Sequence, residues 1–371
     1  MKIGTDQYNT FDTMTMDCWN DRVYYEGKEF PAGHFAAGIL NFAGVIHDPL
    51  LERITVLTAL VDDLSTAEKS KRHDVAAQLK PLLHDTVSWL YTCPPFCYCE
   101  SQGAYEDLEH ALSEERLDRD YEEGEAHLPY LALSFCEPIL RILVAIYNFC
   151  LLIRAFEKKY LRRAKRRNAD AFAKAAHECF DEDDSFLILL EQMPFGGVEE
   201  FFSYPRVITG FNYFQDENNE EKWKTAQRVI CKRAIDFYVF DLMNGLHHGH
   251  APSQCQGCGR YFLTTNGHIP KYCDGVAPQD NRYTCRQYGA MKHQKEQNKQ
   301  HPVYRLFNTR TDTIRKHHRR GKISDELRRE ALYLAGNYRD KALMNNDYAA
   351  DGYARDMELE HIYAEAEKRL K

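Results

Sequence analysis

The sequence contains no uninterrupted apolar segment long enough to cross a membrane. Its longest apolar run, Ile139 to Ile153, is broken by Arg141 and Asn148, and it falls short of the roughly 18 residues that a membrane span needs. We therefore expect a buried helix there, in a soluble protein with no membrane partner. The first residues, Met1 to Gln7, lack the apolar core of a secretory signal. We expect a cytoplasmic, reducing environment, in which the cysteines do not form disulfides.

The chain also lacks the local motifs of several enzyme classes. We find no phosphate-binding loop, no Gly-x-Ser-x-Gly elbow, no His-Asn-His arrangement around the cysteines and no Asp/Glu-x-Lys constellation in a strand context. These absences argue against catalysis, and we assign no catalytic residue. Because a site assembled in space leaves no local signature, a nuclease-type enzyme stays a third interpretation behind two non-enzymatic ones.

Length and composition predict a folded, mainly α-helical protein. The chain has 371 residues, of which 44% are hydrophobic, enough for one large core or two moderate ones. Val23 to Phe30 predicts a small hairpin around Glu26-Gly27. Apolar residues then recur at helical spacing from Pro49 onward. The predicted later helices cover residues 65–91, 138–156, 220–246, 302–320, 325–343 and 347–371.

Four of the twelve cysteines have the spacing of a metal site. Cys255 and Cys258 form a C-x2-C pair, Cys273 follows after fourteen intervening residues, and Cys285 follows after eleven more. This spacing is typical of a tetrahedral zinc site made of thiolates. Four thiolates leave no position for water or substrate, so we predict one structural zinc ion. His268 in place of one cysteine is an alternative ligand.

The residues around these cysteines predict a small module. Gly259 permits a positive φ, which lets amide N–H groups face the sulfurs. Arg260–Thr265 and His268–Cys273 predict a hairpin closed by an Asn-Gly turn. Cys285 opens a segment rich in helix formers, so the fourth ligand should lie in the first turn of a helix, as in a treble clef. A zinc ribbon would need a second C-x2-C pair, which is absent.

We therefore expect three parts along the chain. Residues 1–250 form a large, mostly helical, acidic domain with a small N-terminal β element. Residues 251–300 form the treble-clef-like zinc module of hairpin and helix. Residues 301–371 form C-terminal helices, of which the first is basic, begins with Pro302 and ends at Gly321.

The cysteine motifs resemble those of a known family. Cys255-Gln-Gly-Cys258-Gly-Arg-Tyr-Phe, Lys271-Tyr-Cys273-Asp and Cys285-Arg-Gln-Tyr-Gly-Ala are similar to uncharacterised bacterial proteins with a C-terminal CxxCGRYF…KYCD…CRxxGA zinc-finger-like domain. This resemblance covers roughly the last third to two fifths of the chain and implies a fold and a metal. More distantly, the stretch resembles the CGNR-type zinc finger of bacterial transcription regulators, which implies DNA binding. Arg-Gln-Tyr follows Cys285 where that finger has Gly-Asn-Arg.

The net charge of −8 conceals an asymmetry. Residues 255–322 carry fourteen Lys/Arg and four acids, a net +10, so the remainder carries −18. A basic module favours an anionic partner, although the module could instead dock on the acidic part of its own chain. The cations that we expect to bind nucleic acid are Arg260, Arg282, Arg286, Lys292, Lys295, Arg310, Arg315, Lys316, Arg319 and Arg320.

The leading hypothesis is a zinc-stabilised nucleic-acid-binding or regulatory protein, with either DNA or RNA as its ligand. The alternative is a protein–protein interaction module with a structural zinc and no nucleic acid. Two further clusters could bind a second metal, although buried thiols and a polar linker are the simpler interpretations: Cys93, Cys97 and Cys99, and His247, His248 and His250. The basic run 158–167 is consistent either with nucleic-acid binding or with the end of a long helix.

Overall fold

The structure is a computed structural model that describes residues 13–42, 47–118, 121–123, 126–191, 206–216, 219–265, 267 and 270–370. The chain is mainly α, as predicted from the sequence. It forms two compact units, Met1–Cys273 and Asp274–Lys371. The three segments predicted from the sequence stay a prediction.

The first unit is built from helices, a five-stranded antiparallel sheet and two two-stranded sheets. Its helices are α1 (His34–Ile39), α2 (His47–Thr66), α3 (Lys69–Leu90), α4 (Gln102–Ala111), α5 (Glu114–Asp118), α6 (Tyr130–Lys159), α7 (Ala169–Phe180), α8 (Asp184–Glu191) and α9 (Ala234–His247). Its strands are β1 (Met14–Trp19), β2 (Arg22–Tyr25), β3 (Lys28–Pro31), β4 (Tyr121–Glu123), β5 (Ala126–Leu128), β6 (Val207–Asp216), β7 (Asn219–Cys231), β8 (Ala251–Gln254) and β9 (Tyr261–Thr264).

The main sheet has five strands in the order β3-β2-β1-β7-β6. Glu26 and Gly27, with φ of 47° and 70°, form the turn between β2 and β3. This confirms the predicted hairpin, since a two-residue turn with both φ positive matches the twist of paired strands. β1 joins this hairpin to β7, with Met16 opposite Val229.

The predicted helix over 220–246 is wrong in its first half. Residues up to Cys231 form β7, and the helix α9 begins only at Ala234. Strands on both sides determine the outcome, because β7 pairs with β1 on one edge and β6 on the other. β6 lies just before β7 in the sequence, whereas β1 lies about 210 residues earlier, and pairing on both edges overrides the local helical spacing that we read there.

The predicted helix start at Ser65 is also wrong. Ser65 and Thr66 belong to the last turn of α2, where their hydroxyls donate to the carbonyl oxygen of Asp62 at 2.7 and 3.0 Å. Side chains that bond back to their own helix cannot cap the next one. The helix α3 therefore begins at Lys69.

The long helix α6 forms much of the first unit's core. Its apolar residues Ile139, Phe149 and Ile153 have no exposed surface. Among the described residues it is the one helix long and apolar enough to cross a membrane, but 56% of its most apolar stretch is buried inside the protein. That burial is the pattern of a core helix in a soluble protein, as the sequence predicted.

The second unit is a small helical bundle preceded by a short hairpin. The hairpin consists of β10 (Val276–Ala277) and β11 (Asp280–Thr284), and the helices are α10 (Cys285–Gln300), α11 (Pro302–Arg319), α12 (Asp325–Met344), α13 (Tyr353–Asp356) and α14 (Leu359–Leu370). Pro302 begins α11 as predicted, and Gly321, with φ of 68°, follows its end. Val303 and Ile314 are buried in this unit's core. The single last helix predicted from Asp347 is divided into α13 and α14.

The buried residue Asp241 of α9 holds the beginning of α1. Its Oδ1 accepts a hydrogen bond from the Gly33 N–H at 2.9 Å, and its Oδ2 accepts one from the Ala36 N–H at 2.9 Å. Burial raises the pKa of this carboxyl from 3.8 to about 6, and the backbone N–H groups offset only part of that rise.

Gly245 allows α9 to approach the chain segment before α1, which makes this position sensitive to size. A Cβ added at Gly245 would lie 2.8 Å from the Gly33 Cα and 3.0 Å from the Ala32 carbonyl oxygen. Because both neighbours are backbone atoms, we expect Gly245→Ala to lower the free energy of unfolding by about 1–3 kcal/mol. Gly336→Ala in α12 is the control, since nothing lies within 4 Å of its added Cβ; it should stabilise by up to about 1 kcal/mol. Urea denaturation that ranks the two variants equally would contradict this expectation.

The raised pKa of Asp241 predicts a pH dependence of stability. The pKa of this carboxyl is higher in the folded protein than in the unfolded chain, so the folded state holds the proton more tightly. The resulting contribution to the free energy of unfolding is fully present below about pH 4 and is lost as the pH rises through about 6. Asp241→Asn removes this titration with little change of shape. Between about pH 4 and about pH 7, we expect the unfolding free energy of the wild type to fall by about 3 kcal/mol relative to the variant. Urea denaturation at each pH measures these free energies. If the difference between the wild type and the variant is the same at every pH, the carboxylate remains charged throughout.

Candidate metal centre

The four cysteines of the predicted site lie together. The Sγ atoms of Cys255, Cys258, Cys273 and Cys285 are all within 4.8 Å of one another, and those of Cys258 and Cys273 are 3.6 Å apart. A tetrahedral zinc ion with Zn–S bonds of about 2.3 Å spaces its sulfurs about 3.8 Å apart. The donors and their spacing therefore fit a tetrahedral site for one metal ion. The remaining described residues contain no other such cluster of His, Cys, Asp or Glu.

The C-x2-C pair lies in the turn between β8 and β9. These strands are antiparallel, with Gln254 opposite Tyr261. The Cys255 N–H donates to the Arg260 carbonyl oxygen at 2.8 Å, and the Gly259 N–H donates to the Cys255 carbonyl oxygen at 2.9 Å. Gly259 has φ of 74°, which confirms the positive φ predicted for it. The turn is a compact knuckle that presents both sulfurs on one side.

The structure does not confirm the hairpin predicted around the Asn-Gly turn. β9 pairs with β8, which precedes the knuckle, and the described residues from Thr265 to Gly275 contain no strand. The sequence did not indicate β8 as the partner of β9, because Pro252 lies in β8 and proline argues against a strand. Asn266 and the alternative ligand His268 lie outside the described residues.

Cys285 begins α10, as the helix formers after it predicted. Thr284 caps this helix: its hydroxyl accepts from the Gln287 N–H at 3.2 Å, while the Gln287 side chain accepts from the Thr284 N–H at 2.9 Å. The Cys285 N–H donates to the Gly275 carbonyl oxygen at 2.7 Å. This reciprocal capping fixes the first turn, so the fourth sulfur has a defined position, and Cys285 is 1% exposed.

Backbone N–H groups give Cys255 thiolate character. The N–H groups of Gly257 and Cys273 each donate to its Sγ at 3.3 Å. Burial acts to raise the pKa of the Cys255 thiol, but several backbone N–H groups outweigh it and lower this pKa from 9.0 to about 7. Elsewhere burial raises the thiol pKa to about 12, at Cys18, Cys93, Cys136, Cys179 and Cys231. A thiolate is the form that binds metal, so Cys255 differs from the thiols of the core.

The two other clusters that the sequence offered as metal sites have different surroundings. Cys93 is fully buried and Cys97 is exposed, while the Cys99 Sγ is 3.2 Å from the Tyr25 hydroxyl. The buried His250 places its Nδ1 2.9 Å from the Ala32 carbonyl oxygen. Neither cluster gathers three ligands among the described residues.

The ten cations predicted to bind nucleic acid divide into three groups. Three are paired with nearby carboxylates: Arg282 with Asp280, Arg286 with Asp274 and Arg315 with Asp312, at 2.7, 3.0 and 3.2 Å. Arg310 is half-buried. The others are exposed and have no carboxylate within 4.0 Å in the described part of the chain: Arg260, Lys292, Lys295, Lys316, Arg319 and Arg320.

Part of the basic run 158–167 supports the knuckle. Arg162 pairs at 2.9 Å with Glu157, a carboxylate that is 1% exposed, and donates to the Gln254 side chain at 3.1 Å. Arg167 is buried, and its Nη2 donates to the Thr264 hydroxyl at 3.1 Å. Both arginines thus hold β8 and β9 in place. No pattern in the sequence indicates this role, because a buried arginine looks like its exposed neighbours in a basic run.

Comparison with known proteins gives a partial family match but no activity. Residues 203–369, which include all four clustered cysteines, match the model of a family of unknown function, DUF6076. No curated protein and no solved structure matched the chain.

The cluster predicts the metal content of the purified protein. We expect one divalent metal ion per chain, and we expect Cys273→Ser to lose it and to melt at a lower temperature, because a closed thiolate site stabilises the fold around it. Cys97→Ser is the control, since Cys97 is an exposed cysteine outside the cluster; its metal content and melting should match the wild type. Elemental analysis and thermal melting of the three proteins test this, and a metal-free wild type would contradict it.

Proposed function

We propose that the chain is a zinc-stabilised nucleic-acid-binding protein with a regulatory role in the cytoplasm, and that α10 and α11 carry its binding surface. Four thiolates are soft ligands in a tetrahedral arrangement, which favours zinc among the common divalent ions. With all four positions filled by sulfur, the zinc has no open site for catalysis. Its role is to hold the knuckle and the start of α10, and we assign no catalytic residue.

The exposure of α10 is the observation that carries the proposal. Every residue from Ala290 to Gln297 is exposed, so two turns of this helix bury no side chain. A helix that is polar on all sides gains little from its own packing. Lys292, His293 and Lys295 lie in this stretch, where they can approach the phosphates of a groove while the core stays intact.

The end of α11 also carries exposed cations. Lys316, Arg319 and Arg320 are exposed in its last turn and just beyond it. Cations there also interact favourably with the negative end of the helix dipole, which explains part of their presence. The described carboxylates lie beyond 4.0 Å from all three, so their charge is available to a polyanion.

The order of elements supports a treble-clef-like module. A knuckle with two ligands comes first, a loop with Cys273 and the short β10–β11 hairpin follow, and Cys285 begins the helix α10. The distant resemblance to the CGNR-type finger points in the same direction, because regulators with that finger bind DNA.

An exposed aromatic patch favours a second candidate function, protein binding. Phe211, Tyr213 and Trp223 lie on one face of the β6–β7 ribbon and are 73%, 64% and 67% exposed. Exposed apolar groups clustered in this way mark interaction surfaces. If a protein is the partner, Phe211→Ser should abolish its binding in a pull-down, whereas charge removal on α10 should not.

Charge removal on α10 tests nucleic-acid binding. We expect Lys292→Gln/Lys295→Gln to weaken binding and to reduce the slope of log affinity against log salt by about 0.9 for each duplex phosphate that the variant no longer neutralises. Fluorescence anisotropy with single- and double-stranded DNA and RNA, at several salt concentrations, measures both effects. The control is Arg282→Gln, because Asp280 already neutralises that guanidinium, and its slope should match the wild type. A wild type that binds none of the probes at low salt would remove the proposal.

A further inference from the structure

A groove within the second unit lies between α10 and α11. It has a volume of about 630 Å³ and is closed on one side by Arg339 of α12. Tyr304 and Phe307 provide aromatic rings from α11, and Lys295 provides a cation from α10. The carboxamide side chains of Gln294 and Asn308 also line it. It is open because the α10 residues that face it bury little surface against α11.

Arg339 gives this groove a fixed planar surface. Its guanidinium lies over the Phe307 ring, 4.6 Å from the centroid. Asp340 holds the guanidinium along its edge, with its Oδ1 accepting from Nε at 2.8 Å and pairing with Nη2 at 2.6 Å. The side chain is still 28% exposed. A guanidinium held in this way offers a flat, cationic face for stacking.

The chemistry of the lining selects one class of ligand. Aromatic rings and a fixed guanidinium stack on planar rings, carboxamides can hydrogen-bond to the edges of bases, and a lysine pairs with phosphate. An acidic peptide would use the cations but would not stack on the planar surfaces. In a duplex, both faces of every base are covered by neighbouring base pairs, so only an unpaired base can enter such a groove.

We propose that this groove binds an unpaired base of a single-stranded nucleic acid, which stacks on Tyr304 and Arg339 while Lys295 contacts its phosphate. The inference rests on the proposed function and sharpens it, because it assigns single strands, rather than duplexes, as the preferred ligand. It also separates two contributions to binding. The exposed cations supply salt-dependent affinity for any polyanion, and the groove supplies the preference for a free base.

The test compares Tyr304→Leu with Tyr333→Leu in the full-length, metal-loaded protein. Tyr304 is half-buried and lies outside the set of core residues of this unit, so leucine should be tolerated there. Tyr333 is 60% exposed on α12 and does not line the groove. For a single-stranded oligonucleotide of about 12 nucleotides, we expect Tyr304→Leu to weaken binding about 5- to 100-fold, as for the loss of one stacked base. Duplex affinity, the salt slope and all properties of Tyr333→Leu should stay as in the wild type.

Photocrosslinking of the wild type provides a readout that does not depend on a variant folding. An oligonucleotide with 5-iodouracil should crosslink to Tyr304 or Phe307, as located by mass spectrometry. Crosslinks confined to other residues would overturn the inference, and so would an equal loss of single-strand and duplex affinity in Tyr304→Leu. Polyglutamate that binds the wild type but not Tyr304→Leu would assign the groove to an acidic peptide instead. If the wild type binds nucleic acid and Tyr304→Leu binds it equally well, the groove inference fails alone; if the wild type binds none, the proposed function fails too.

Discussion

Four sulfurs within 4.8 Å of one another impose an electrostatic constraint on the structure. Four thiolates cannot share so small a volume unless a cation lies among them, because their mutual repulsion is strong at this separation. As neutral thiols they would gain little from such a close approach. A bound metal would resolve the constraint, and its binding free energy would become folding free energy for the knuckle, for the loop at Cys273 and for the first turn of α10. In the proposed function, the geometry of the binding surface therefore begins at this site.

The cysteine site was the part of the molecule most accessible from sequence, because its determinants are local. Spacing identified the four ligands, Gly259 revealed the positive φ, and the residues after Cys285 indicated the helix. The strand partners were not accessible in the same way. β9 pairs with a segment that contains Pro252, and β7 pairs with β1, about 210 residues earlier in the chain. Local patterns cannot report a pairing whose second strand lies so far away, so the sheet was underestimated while the helices were largely right.

The charged residues show the same difference between what the sequence reports and what only the structure reports. The excess of +10 over 255–322 is a property of the sequence, but pairing is a property of the structure. Arg282 and Arg286 lie beside carboxylates of the hairpin region and contribute little net field, whereas Lys292 and Lys295 have no carboxylate within 4.0 Å in the described residues. In the first unit, Arg162 and Arg167 donate hydrogen bonds to side chains of β8 and β9 instead of binding a ligand. Charge asymmetry therefore indicated a region, and only the geometry distinguished the cations that are available.

The stability of α10 explains why metal and binding surface belong together. A helix of 16 residues whose residues 290–297 are all exposed is marginal in water, because nucleation is unfavourable and propagation gains little. The capping box at Thr284 fixes the nucleating turn, and a metal bound at Cys285 would fix it further, so propagation can proceed from an ordered end. A partner of the kind that we propose would then meet an ordered helix and would not have to supply that ordering free energy. The surface of α10 must stay open to solvent, so packing cannot stabilise this helix along its length. Its stabilisation comes from its first turn instead.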